Sequence, residues 1–177
     1  MNRSQLEHII RASGSIANDD EIIVLGSSSV FAQFPDLSDN FLISIEADVF
    51  PKNRPEMSDT IDGCIGELSP FHQSFGYYAH GVSRETGNNL PEGWEDRLVP
   101  VKNEHTAGVT GWCLEIHDLV AGKYASAREK DLEFVRAAIR QGIVNRDDLL
   151  SRIQDLRVDD ASKERIRQHI LKDFDTA

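Results

Sequence analysis

Cysteine is scarce, with Cys64 and Cys113 the only two in 177 residues. Two isolated cysteines form neither a disulfide framework nor a zinc site, so a reducing, cytoplasmic setting is expected. Long apolar runs are missing as well. No stretch approaches the ~18 apolar residues of a membrane span, and MNRSQLEHIIRASGS at the start lacks the apolar core of a secretory signal, so no membrane partner is expected. Positive charge is in deficit: 19 Lys and Arg stand against 30 Asp and Glu, for a net charge of −11. A duplex repels such a surface, which argues against broad nucleic-acid binding. It leaves room for a local basic patch, or for a small charged substrate brought in with a metal. The Gly-x-Gly-x-x-Gly and Walker sequences are absent, and so is the Gly-x-Ser-x-Gly elbow of hydrolases, despite the serines at 27–29. His8, His72, His80, His105, His117 and His169 are scattered, none paired at metal-ligand spacing, so surface or core roles are expected.

What is present is ordinary globular composition, with 40% hydrophobic and 28% charged residues. A chain of this length buries roughly two thirds of its unfolded surface without staples. The patterning predicts an α/β, or α+β, fold: a small mixed sheet flanked by helices, followed by a helical C-terminal tail. Residues 1–115 are expected to form the core and residues 116–177 a helical region packing on it. Residues 4–12 read as a short amphipathic helix with Leu6, Ile9 and Ile10 on one side. Glu21–Leu25 is a compact apolar run ending at Gly26, as in a buried strand, and a short helix should follow and stop before Pro35. A second strand is expected over 42–50, with Ile43, Ile45, Ala47 and Val49 on one face and Ser44, Glu46 and Asp48 on the other. A helix is predicted over 57–65 and strands over 75–82, 97–102 and 112–114. Trp94 reads as a loop anchor. Beyond residue 116 helical periodicity dominates: Leu132, Val135 and Ile139 share a face, Gly142 is a stop, and Asn145 and Asp159 are N-caps.

Two carboxylates at i and i+2 of a strand point the same way. Glu46 and Asp48 can therefore share a hard divalent cation such as Mg²⁺, which prefers oxygen ligands and keeps substrate phosphates as partners. Gly26 lets a phosphate approach the backbone, and the Ser27 hydroxyl can hold it. An alternating solvent-facing strand explains the same residues without any ligand. A second group is Lys123, followed by Arg128, Lys130 and Asp131. Lys123 can neutralise a triphosphate, with Arg128 and Lys130 adding charge nearby. The same residues also suit a solvated helix face with i,i+3 and i,i+4 ion pairs.

Gly-Ser, then an acid-x-acid strand, then a distal lysine with Arg-x-Lys-Asp: this order resembles the nucleotidyltransferase-like proteins of the DNA polymerase beta superfamily, on the AbiEii-type toxin branch. There a Gly-Gly or Gly-Ser turn precedes an Asp-x-Asp strand, and a helical lysine and a Lys-Asp pair follow. The resemblance spans roughly residues 22–140. It implies catalytic roles for Glu46, Asp48 and Lys123, metal binding by Glu46 and Asp48, and nucleotide binding by Gly26, Ser27, Arg128, Lys130 and Asp131. It further implies Mg²⁺ as cofactor, a nucleoside triphosphate as substrate, RNA as acceptor and an antitoxin protein as partner. The chain departs from the pattern in carrying Glu46 for the first Asp, nineteen residues after Ser27, and in lacking a carboxylate in the later predicted strands. Two functions follow. One is transfer of a nucleotidyl group to an acceptor; the other is a noncatalytic binding module of the same fold, acting through a protein partner or a nucleotide.

Overall fold

The computed structural model describes residues 1–37 and 44–176. The first helix, α1 (Arg3–Ala17), starts at an Asn2–Gln5 capping box and ends where Asn18 turns left-handed at φ 50°. It runs longer than its sequence pattern predicts, because Ser13, Gly14 and Ala17 continue the buried face begun by Leu6, Ile9 and Ile10. Next come β1 (Glu21–Leu25), a 3-10 helix (Ser27–Ala32) and β2 (Glu46–Pro51). The expected beginning of β2 at Leu42 and Ile43 lies outside the described residues. Ser44 and Ile45 are described and are not strand.

Helix α2 (Ser58–Ile65) stands close to its expected place. A six-residue helix, α3 (Pro70–Phe75), carries Ser69 as its N-cap and takes the front of the predicted third strand. Pro70 supplies the helical φ at the first position, and Ser69 accepts the His72 N–H as the cap. The strand itself is β3 (Tyr78–Gly81), followed by β4 (Val99–Val101) and β5 (Thr110–Cys113). Trp94 is buried over Gly87 and anchors the long connection between β3 and β4.

The five strands form one mixed sheet in the order β3-β2-β1-β5-β4. β1 runs antiparallel to β2 and parallel to β5, β3 is parallel to β2, and β4 is antiparallel to β5. Register defines the two faces. Ile22 and Gly111 are partners, and a Cβ on Gly111 would run into Ile10, so α1 covers that side. The other side carries Glu46, Asp48 and Phe50 of β2, with Leu25 opposite Asp48, Ile23 opposite Phe50, and Tyr78 and His80 opposite Glu46 and Asp48.

Four helices complete the chain: α4 (Ile116–Ser126), α5 (Glu129–Arg140), α6 (Arg146–Gln154) and α7 (Asp160–Asp175). Asn145 and Asp159 cap α6 and α7 as their positions predict, each accepting backbone N–H bonds in the first turn. Gly142 turns the chain after α5 at φ 69°. Among the described residues no helix is long and apolar enough to cross a membrane.

Candidate active site

Glu46 and Asp48 leave the same face of β2, and the adjacent edge strand fixes one oxygen of each. The Tyr78 hydroxyl donates to Glu46 Oε2 at 2.9 Å, and His80 Nδ1 lies 3.1 Å from Asp48 Oδ1. Glu46 Oε1 and Asp48 Oδ2 are the oxygens left over among the described residues. Burial pushes the Asp48 carboxyl above its ordinary range and the Glu46 charge pushes it further, while the His80 hydrogen bond opposes both. The Glu46 charge likewise adds to burial in raising the Tyr78 hydroxyl to about 12. Two half-buried carboxylates offering hard oxygen donors and straining against each other suit a divalent cation, which removes the repulsion.

Gly26 joins β1 to the 3-10 helix at φ 72°, ψ −173°, and a Cβ there would sit 2.5 Å from Asp48 Oδ2. Only glycine combines that backbone conformation with that proximity. Ser27 follows, its Oγ accepting from the Ser44 N–H at 3.2 Å. The turn thereby abuts the carboxylate pair.

The second residue group reaches the same place because one helix becomes two. α4 ends at Ser126, Ala127 turns left-handed at φ 51°, and Arg128 is the N-cap of the next helix. The break folds α5 back over α4, so Lys123 Nζ meets Asp131 Oδ1 at 2.7 Å, eight residues away. Arg128 Nε and Ser126 Oγ donate to Asp131 Oδ2 at 2.6 and 2.7 Å. The Lys123 ammonium also lies 4.7 Å from the centre of the Phe134 ring. Asp131 is 1% exposed. Burial alone would raise its pKa, but the hydrogen bonds from Lys123, Arg128 and Ser126 outweigh burial and hold it at about 2. Its stabilising contribution is therefore complete above the unfolded value near ~4 and is lost as pH falls towards 2. Arg128–Asp131 is an i,i+3 pair with the guanidinium exposed, whereas a single continuous helix would not allow the Lys123–Asp131 contact. Here a buried carboxylate orients two cations.

Gly26, Ser27, Glu46, Asp48, Lys123, Arg128, Lys130 and Asp131 all line one cleft of about 340 Å³. A neighbouring compartment of about 430 Å³ shares Gly26, Asp48, Lys123, Arg128 and Asp131 and adds apolar walls from Leu25, Leu90, Leu114 and Leu119. Sequence reasoning missed Tyr78 and His80. Their signal was the i, i+2 spacing in a strand, which becomes informative only once β3 is known to pair with β2 in this register. Among the described residues no cluster of three or more His, Cys, Asp and Glu could hold a metal by itself. A cation here would complete its shell with water and ligand oxygens.

Residues 4–175 match the model of a family described as a nucleotidyltransferase of unknown function (DUF6036). No curated protein and no solved structure matches the chain.

Proposed function

This chain belongs to that nucleotidyltransferase family, and on this premise we propose that it transfers a nucleotidyl group from a nucleoside triphosphate to an acceptor hydroxyl, with Glu46 and Asp48 holding Mg²⁺. The observation that carries the reading is the arrangement of one small cleft: two carboxylates on the sheet, and Lys123, Arg128 and Lys130, with Asp131 and Glu133 beside them, on the helices facing them. A metal-bound triphosphate has the complementary polarity. Mg²⁺ held by the two carboxylates supplies charge neutralisation on the phosphate oxygens. Lys130, unpaired among the described residues, binds the distal phosphates together with Lys123 and Arg128, which share the single carboxylate of Asp131 and so keep a net positive charge. Gly26 admits them to the backbone, and Ser27 offers its hydroxyl. The order of motifs resembles that of the AbiEii-type toxins, which supports a toxin-like role with a protein antitoxin as partner. A net charge of −11 counts against RNA as the acceptor.

Thermal melts test the reading. Saturating Mg²⁺ with one of the four common nucleoside triphosphates should raise the wild-type Tm by about 5–10 °C, the shift for ligand near ~100 times its Kd on a domain this size. Asp48→Asn should lose the shift and keep or slightly raise its own Tm. The sign follows from the raised folded pKa: the ionised carboxyl is disfavoured by folding at neutral pH, so neutralising it removes a penalty. A wild-type protein unmoved by any Mg²⁺–triphosphate would sink the proposal. The strand beside Asp48 presents Tyr78 and His80 but no third carboxylate, which favours a second reading, a nucleotide-binding module without turnover. A nucleotide-dependent Tm shift with no pyrophosphate release in the presence of either RNA or small hydroxyl acceptors favours that case.

A further inference from the structure

The face of the sheet that bears Asp48 continues into a second cavity, of about 400 Å³, that shares no lining residue with the cleft. Its floor is apolar: Ile23, Phe50, Leu98 and Trp112. Phe50 is the next residue after Asp48 on that face of β2, roughly 7 Å along the strand. Trp112 lies on the same face, opposite Ile23. The volume falls within the range of small-molecule pockets, roughly 300–1,000 Å³.

The rim determines which charge can enter. Lys52 Nζ is held by Glu21 Oε1 at 2.7 Å and stands 5.0 Å from the centre of the Trp112 ring. The Trp112 indole N–H donates to the same Glu21 oxygen at 2.8 Å. Arg84 is paired with both oxygens of Glu95 at 2.9 Å. Both rim cations are thus engaged. Asp96 lines the cavity as well and is exposed, and among the described residues its carboxylate has no hydrogen-bond or ion-pair partner. An anion entering here finds no free cation, whereas a planar apolar body carrying a positive charge finds both a floor and a counter-ion.

We propose that this cavity is the acceptor site and that it takes a small planar amine bearing the hydroxyl to be modified; the assignment rests on the nucleotidyl-transfer reading above. In the transfer, the hydroxyl oxygen forms a bond to the α-phosphorus. The bond from that phosphorus to the oxygen bridging to the β-phosphate breaks, pyrophosphate leaves with the electron pair, and the hydroxyl proton passes to water. A ring seated over Phe50 presents its substituent toward Asp48, the preceding residue on that face.

Tyramine is a suitable probe, and 3-(4-hydroxyphenyl)propanoate its charge-reversed control. The readout is the indole N–H resonance of Trp112 in the full chain, identified by its loss in Trp112→Phe. Tyramine should move that resonance saturably, the propanoate should not, and Asp96→Asn should weaken tyramine by about tenfold, the usual scale for losing one charge-assisted contact. An acceptor must coexist with the donor, so Mg²⁺ with a nonhydrolysable triphosphate should leave tyramine bound. No saturable shift with tyramine, equal binding of both probes, indifference to Asp96→Asn, or displacement by the nucleotide overturns the proposal. A short single-stranded RNA that moves Trp112 while tyramine does not overturns it in favour of a nucleic-acid acceptor. Tyramine binding as described in a wild-type protein that ignores nucleotides would remove the transfer reading and keep the pocket.

Discussion

Asp118→Ala should lower stability by about 3–5 kcal/mol, the usual cost of removing one partner from a buried ion pair. At about 2–4 °C per kcal/mol for a domain of this size, Tm should fall by about 6–20 °C. Asp118 is fully buried in α4. Arg97 grips it with two donors, Nε to Oδ2 and Nη2 to Oδ1, each at 2.8 Å. Arg152 of α6 approaches Oδ1 at 3.3 Å. Burial pushes the Asp118 carboxyl above its ordinary value, while the same contact raises Arg97, so the pair itself adds little net stability. Alanine, however, removes the carboxylate that both guanidinium groups share and leaves them facing each other, with only the more distant charges of Asp155 and Glu115 acting on Arg97. Asp118→Leu combined with Arg97→Met should recover part of the loss, because only the Arg152 guanidinium then remains without its carboxylate partner. Melts of the single and double variants check this, and a single-variant loss below about 1 kcal/mol, as for an exposed pair, would refute it.

Gly26→Val should be comparably severe, at about 2–4 kcal/mol, and should also eliminate the nucleotide-dependent melting shift. Two independent penalties act. The φ of 72° with ψ of −173° lies in a region essentially reserved for glycine. The new Cβ would also stand 2.5 Å from Asp48 Oδ2, forcing away the oxygen proposed for the metal. Gly26→Ala carries both penalties in milder form. In an Asp48→Ala background the steric part vanishes and the backbone part remains, so a double-mutant cycle should show positive coupling between the two sites. Additive losses would mean that Asp48 already swings clear of Gly26 at no cost.

How much was legible in the sequence depended on whether a signal was local. β1 was readable to the residue because an apolar run closed by glycine is a local pattern. The caps Asn145 and Asp159 were readable for the same reason. Glu46 and Asp48 could be placed on one face from their spacing alone. The contacts of Lys123 could not be read. They require a left-handed alanine at 127, a residue type that gives no sign of stopping a helix, and only that break returns Asp131 to Lys123. Tyr78 and His80 were invisible for a different reason. Their nearness to the carboxylates depends on the pairing of β3 with β2, across more than thirty intervening positions.

The placement of Lys123, Arg128 and Lys130 in one cleft of a molecule with a net charge of −11 also bears on kinetics. At 0.01 M salt the Debye length is about 30 Å, so an incoming triphosphate feels the repulsion of the whole body until it comes within about 10 Å of the cleft. Within that distance it meets the three cations and is drawn in. Moderate salt therefore weakens the outer barrier more than the inner attraction, and the association rate rises with ionic strength, opposite to an enzyme that steers its anionic ligand from afar.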